Sequence, residues 1–519
     1  MSAPILVAKN LSIAFGEVRA LSGVDLTIGA GEIRCLVGEN GSGKSTFVKI
    51  VSGVYVPNEG TVTVGGAPLG AHDPREAISA GVQVIYQDLS LFDHLSVAEN
   101  IAFNVVLHQG SVYVNRKQME EIAVSQLQEM GVELPLNDPV STLSVANKQL
   151  VAIARALSMD AKILFMDEPT TALTTKEVKR LLTIVHALKE KGLAIVFISH
   201  KLDEVFDVAD TITIFRDGLK VGDFKAGDLD QASLTYHMTG REVLHEPYQR
   251  KSLDSDGASA PLLAVENLTK SDQYRDVSFA VRPGDILGLT GLLGAGRTEL
   301  ALTLFGLNKP DSGTIRVKGD QVRINDPWEA ISLGLALVPE DRNAQGLFLT
   351  HTTNHNVSST RLDKLLNKFG LVNAREERAL AQQTVELMGV NNKNTEAIVG
   401  NLSGGNAQKV VIGKWIATDP TVFILDSPTV GIDIGSKEEI YDRIQKLAAQ
   451  GMGVVFISDE PEEIIANCNR VIVMHEGDVI ATFEDSDRSA PGFKDELARI
   501  ISNPDSASAV PGTNTGGAQ

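Results

Sequence analysis

Gly38-Glu39-Asn40-Gly41-Ser42-Gly43-Lys44-Ser45-Thr46 confines this chain more than any other stretch. It follows a short apolar run, Ile33 to Val37, and leads into the helix-compatible Phe47-Val48-Lys49-Ile50-Val51. That strand–loop–helix setting is the one in which G-x-x-x-x-G-K-[ST] forms a phosphate-binding loop. Glycines let the backbone wrap close to a polyphosphate, and N–H groups at a helix N-terminus point at its negative charge. Lys44 supplies a mobile ammonium for the outer phosphates, and Ser45 a hydroxyl for Mg²⁺. The plain alternative is a Gly-rich turn before a helix, and the full pattern in this setting argues against it.

At 519 residues the chain is too long for one core. Its net charge of -19 opposes binding to nucleic acid or anionic lipid across a broad face. Two cysteines, Cys35 and Cys468, are too few for a disulfide framework and suit a reducing compartment. The opening Met-Ser-Ala-Pro-Ile lacks a basic region followed by an apolar one, so no signal peptide is expected. No uncharged apolar run reaches membrane-spanning length, so any membrane role is expected to go through a partner.

The chain is a tandem duplication. Gly291-Leu292-Leu293-Gly294-Ala295-Gly296-Arg297-Thr298 echoes the first loop at an offset of 297 − 44 = 253. Ile163 to Thr170 reappears as Val422 to Thr429, offset 426 − 167 = 259, and Phe197-Ile198-Ser199-His200 as Phe456-Ile457-Ser458-Asp459 at the same 259. The halves are expected at about 4–240 and 262–501. Between them lies an exposed linker, 241–261, and after them a disordered tail, 502–519. Within each half, buried apolar runs alternate with helical stretches, which predicts an α/β fold around a parallel sheet.

Asp167-Glu168 closes an apolar strand, where a parallel sheet presents its ligand-facing end. Asp167 suits the outer shell of Mg²⁺, and Glu168 can take a proton from an attacking water. Alone, an acidic pair before Pro169 would be read as a helix cap. His200 ends another apolar run, and Gln87 follows Val84-Ile85-Tyr86.

The order of phosphate loop, Gln87, Leu143-Ser144, Asp167-Glu168 and His200 resembles the ABC-transporter ATPase family, over nearly all of both halves. The resemblance implies two tandem P-loop NTPase domains, each with a parallel-sheet core, an antiparallel β subdomain and a helical subdomain. It further implies that Phe15 stacks on adenine, that Gln87 senses Mg²⁺ and the membrane partner, and that His200 is the switch histidine. Leu402-Ser403-Gly404-Gly405-Asn406 resembles the signature that binds ATP held by the opposite half.

On that reading one composite site is complete. It takes Lys44, Ser45, Gln87, Asp167, Glu168 and His200 from the first half, with Ser403-Gly404-Gly405 and Asp433 from the second. The other site binds nucleotide through Gly291, Gly294, Gly296, Arg297 and Thr298 but is degenerate. Arg297 replaces the lysine, Glu340 the glutamine, Ser427 the glutamate and Asp459 the histidine. The signature facing it, Leu143-Ser144-Val145-Ala146-Asn147, has lost both glycines, and Thr174 stands where Asp433 stands. The degenerate site is expected to hold nucleotide and hydrolyse it very slowly.

Val338-Pro339-Glu340-Asp341-Arg342 with Gly346-Leu347, and a second loop ending Gly-Arg-Thr, are similar to the double-cassette ATPases of bacterial monosaccharide importers of the ribose, galactose and xylose type. This implies ATP and Mg²⁺ as cofactors and a peripheral place on the cytoplasmic face of the membrane. The implied partners are two permease subunits and, through them, an extracytoplasmic sugar-binding protein, with no nucleic acid. A nucleoside importer of a related branch is the alternative. A soluble tandem-cassette ATPase acting on ribosomes or DNA is a further one, opposed by a linker and tail that are not basic.

Overall fold

The computed structural model describes residues 4–504 apart from 17, 71–72, 109–114, 171–172, 200, 241–246, 251–259, 293, 391–393, 486, 488–491 and 503. His200, most of the linker and nearly all of the 502–519 tail therefore lie outside the described residues.

The first unit is built from ten described strands: β1 (Pro4–Phe15), β2 (Val18–Gly29), β3 (Ile33–Val37), β4 (Glu59–Val64), β5 (Ala67–Pro68), β6 (Val82–Ile85), β7 (Ile163–Asp167), β8 (Ala194–Ile198), β9 (Thr211–Arg216) and β10 (Leu219–Lys225). They form an antiparallel sheet in the order β2-β1-β4-β5 and a mainly parallel one in the order β10-β9-β3-β8-β7-β6. Every residue of β3 and β8 is buried. A strand covered on both faces has no polar side to show, which is why these stretches read as unbroken apolar runs rather than alternation. By contrast β2 alternates toward its end, burying Val24, Leu26 and Ile28. Those three join Leu6 and Phe47 in a core shared by both sheets.

The second unit repeats the plan with β11 (Leu263–Lys270), β12 (Tyr274–Val281), β13 (Ile286–Thr290), β14 (Ser312–Val317), β15 (Asp320–Val322), β16 (Leu335–Val338), β17 (Val422–Asp426), β18 (Gly453–Ile457), β19 (Arg470–His475) and β20 (Asp478–Phe483). Its sheets run β12-β11-β14-β15 and β16-β17-β18-β13-β19-β20, the second being the first unit's order read from the other edge. Each unit thus holds a mainly parallel core sheet, an antiparallel sheet and a group of helices, the α/β fold expected from the sequence. Contacts divide the chain at Val243 and Leu244.

One stretch departs from the expected exposed linker. Tyr248 is buried; its hydroxyl donates to Gly284 O at 2.9 Å and its N–H to Ala466 O. Arg250 bonds Pro283 O and pairs with the buried Asp285. An aromatic ring with a satisfied hydroxyl gains more from burial than from solvent, so this part of the connector belongs to the second unit. Among the described residues no helix is long and apolar enough to cross a membrane.

Candidate functional site

Strand order sets the site of the first unit. β6, β7, β8 and β3 lie side by side and parallel. Their carboxyl ends therefore bring Gln87, Asp167-Glu168, Ser199 and the Gly38–Gly43 loop to one end of the strands, the end at which open α/β sheets bind ligands. Gln87 is exposed there, two residues beyond β6.

The loop itself is shaped by sterics. Gly38 has φ 149°, and a Cβ there would stand 2.1 Å from Phe215 O. Gly43 has φ 104° and ends the loop as N-cap of the Lys44–Val51 helix, with no side-chain cap. The helices starting after Ser144, Thr174, Ser403 and Asp433 are each capped by that residue's side chain. An uncapped N-terminus leaves N–H groups seeking an acceptor, and an anion supplies it. Ser42 Oγ is buried in the loop without a hydrogen-bond partner. Lys44 Nζ donates to Gly38 O at 2.7 Å and Glu39 O at 3.0 Å, folded over the space it would share with phosphate. Together, the uncapped helix start and the orphaned hydroxyl fit a polyphosphate.

Burial pushes the Asp167 carboxyl above its ordinary value, reinforced by neighbouring Glu168 and opposed by Lys44 and Lys49. Glu168 adopts φ 48°, a conformation non-glycine residues avoid, and its N–H bonds Ile198 O at 2.9 Å. The bend turns the chain away from the strand immediately after Asp167. Phe15 is half exposed at the end of β1 and meets Tyr55 edge-on, ring centroids 5.1 Å apart. Lys49 Nζ lies 5.3 Å from the Tyr55 ring centre. Tyr55 escapes sequence reading because nothing in its local pattern marks it; only the fold brings it to Phe15.

The second unit keeps the scaffold and changes the side chains. Gly291 repeats φ 149°, with a would-be Cβ 2.1 Å from Met474 O, and Gly296 caps the Arg297–Leu304 helix as Gly43 does. Gly294 also keeps a positive φ, 82°. Ser427 repeats the left-handed bend at φ 45° and bonds Ile457 O at 3.0 Å. Arg297, however, is pulled below its usual value by burial, while Asp459, Asp426, Glu340 and Glu299 hold it charged. Its Nη1 is buried without a hydrogen-bond partner. In the register of the sequence repeat Asp459 and Glu340 correspond to His200 and Gln87, and in the second unit they give this loop's cation protein counter-charges.

Asp426 is pushed up to about 6, first by burial and further by Glu340 and Glu299. A hydrogen bond from Thr298 and the charge of Arg297 pull the other way. Between its ordinary 3.8 and about 6 the folded chain holds a proton the unfolded chain has released, so stability falls as pH rises through that window. The difference corresponds to about 3 kcal/mol. Asp426→Asn should therefore raise the thermal midpoint of the ligand-free chain at pH 7.5 and leave it unchanged near pH 4. A gain of equal size at both would rule out titration as the cause.

Ser403 caps the Gly404–Ile416 helix, its Oγ accepting from the Asn406 N–H at 3.4 Å and also from Asn406 Nδ2 at 2.9 Å. Crowding by Ser436 explains the second of its glycines, while the nearest neighbour of the first is only the end of a flexible arginine. A Cβ at Gly405 would stand 2.3 Å from Ser436 Oγ, and one at Gly404 3.1 Å from Arg342 Nη2. Asp433 accepts from Ser436 N at 2.9 Å as N-cap. Thr174 performs the same capping task with Glu177, so that difference between the units is a cap exchanged for a cap.

A phosphate loop at the head of a parallel sheet, present twice, defines a P-loop nucleotide-binding protein with two cassettes. A family model described as ABC transporter matches residues 21–171 and again 274–430. The chain is 42% identical to "Ribose import ATP-binding protein RbsA 2" of Streptomyces avermitilis, over 92% of this chain and 94% of that protein. It is 40% identical to "Ribose import ATP-binding protein RbsA" of Roseobacter denitrificans, over 97% and 98% of the two chains. It is also 38% identical to "Ribose import ATP-binding protein RbsA 2" of Escherichia coli O157:H7, over 92% and 94%. The chain belongs to the ABC-transporter ATP-binding family.

Proposed function

We propose that this chain is the ATP-hydrolysing, energy-coupling subunit of a monosaccharide importer, peripheral on the cytoplasmic face of the membrane. Its partners would be two permease subunits and, through them, an extracytoplasmic sugar-binding protein. The supporting observation is that ribose-import ATP-binding proteins are about 40% identical along nearly the whole length of the chain.

On this reading hydrolysis belongs to the Lys44/Glu168 site, completed by Ser403-Gly404-Gly405 and Asp433. Gly38, Glu39, Asn40, Gly41, Ser42, Gly43 and Thr46 cradle the phosphates, Lys44 neutralises their outer charge, and Phe15 stacks on adenine. Glu168 takes the proton of the attacking water, with His200 and Gln87 orienting the γ-phosphate end. Ser45 and Gln87, with Asp167 behind them, are oxygen donors suited to the hard cation Mg²⁺. When bound, Mg²⁺ would neutralise charge on the β- and γ-phosphates. The Arg297 site would hold nucleotide without rapid turnover. Closure of the two halves on ATP and their release after hydrolysis would move the permease between access states.

The deciding experiment is uptake of a labelled panel of pentoses, hexoses, polyols and nucleosides in cells with and without the chain. Loss of one sugar's uptake on deletion is expected. Loss of nucleoside uptake alone would transfer the chain to the related importer branch, and no loss at all would sink the transport reading.

A further inference from the structure

The stretch after Glu340 holds a feature the first unit lacks. Phe92 N–H bonds Asn100 Oδ1 at 2.9 Å, and Phe348 N–H bonds Asn356 Oδ1 at 2.8 Å, so these phenylalanines correspond. Gln87 to Phe92 is 92 − 87 = 5 steps, and Glu340 to Phe348 is 348 − 340 = 8. The three additional residues fall in a π-helical turn, Arg342–Gly346. Such turns are rare and concentrate where function needs an altered backbone.

The two ends of this turn are tied to two neighbouring parts of its own unit, the Val430-Gly431 loop and the helix that starts at Gly404. Arg342 Nη1 donates to Val430 O at 2.7 Å and Nη2 to Gly431 O at 3.4 Å. The same Nη2 lies over Gly404, where it would stand 3.1 Å from a Cβ. At the far end, Gly346 O accepts from Lys414 Nζ at 2.6 Å, and Lys414 belongs to the helix that starts at Gly404. Asp341 stiffens the entrance by accepting from Asn343 N and Ala344 N. In the first unit Arg155 also ties the loop to its helix, through Leu89 O and Ser90 O. Leu89 stands in Arg342's place, however, and a leucine side chain donates nothing.

We propose that Arg342 is a positioning residue for ATP hydrolysis. It ties the Val430-Gly431 loop, which leads into Asp433, to the Glu340 segment, and packs its fork against the Gly404 end of the signature helix. The proposal rests on the reading that Ser403-Gly404-Gly405 completes the Lys44 site. The geometry needs a guanidinium: its planar fork spans two successive carbonyls, whereas an ammonium presents a point charge. Gly404 is then glycine partly to leave that fork room.

The test uses the full-length chain with steady-state ATPase kinetics and thermal unfolding. Arg342→Ala should lower kcat by roughly 10–100-fold, the scale of a small misplacement of a positioned group. KM for ATP should stay within about twofold, because the Lys44 half of the site is untouched. Arg342→Lys should recover only part of kcat, with an unfolding midpoint equal to that of the parent. Equal activity in Arg342→Ala and parent would overturn the proposal, as would a loss that only follows a lowered midpoint in both variants. Ser403→Arg separates the two readings. If it is inactive while Arg342→Ala is normal, the Arg342 proposal alone fails. If Ser403→Arg hydrolyses normally, the composite site falls and the proposal with it.

Discussion

Glu168→Gln should lower ATP turnover by about 10²–10⁴-fold, the expected cost of losing a positioned base, while Ser427→Glu restores little. Glutamine keeps the size and hydrogen-bonding reach of glutamate but cannot accept the proton. The backbone gives the two units no reason to differ, because Glu168 and Ser427 share a left-handed φ of 48° and 45° and the same bond to the neighbouring strand. Restoring a carboxylate at 427 leaves the other departures in place. It also sets that carboxylate beside Asp426, whose proton is already held up to about 6. Phosphate release from single and double variants measures both effects. Turnover near the parent rate in Glu168→Gln would end the assignment of hydrolysis to the first site.

The next largest effect is expected at Gly38. Its would-be Cβ stands 2.1 Å from Phe215 O at φ 149°, and a backbone carbonyl held in β9 cannot yield as a flexible side chain can. Overpacking of this kind costs about 1–3 kcal/mol, and the strand end must move to relieve it. Gly38→Ala should therefore weaken nucleotide binding at least about tenfold. Gly41→Ala, at φ 83° but with nothing within 4 Å of its Cβ, should lose far less. Titration with a fluorescent ATP analogue distinguishes them. Equal losses would mean that conformation, not the clash, governs the loop.

Both of these sites were legible in the amino-acid order because each depends on neighbours in sequence. The phosphate loop needs only a strand, six closely set residues and a helix. The pair Asp167-Glu168 needs only an apolar strand before it. The duplicated register carried most of the fold, since a shared offset of 259 implies a shared sheet order. What stayed hidden depends on distant partners. Arg342 finds Val430 and Gly431 across nearly ninety positions, and Tyr55 reaches Phe15 across forty. Tyr248 sits in a polar stretch whose composition signals exposure, yet its ring finds a cover in the second unit. His200, placed by the repeat, lies outside the described residues.

The bend at Ser427 has a consequence of its own. A serine gains nothing from a left-handed backbone, and such a conformation costs a non-glycine residue on the order of 1 kcal/mol. The second unit therefore gives a serine the posture that the first unit gives Glu168, imposed by the surrounding sheet rather than chosen by its occupant. Ser427→Gly should relax that inheritance, raising the melting temperature slightly while leaving the hydrolysis rate where it was.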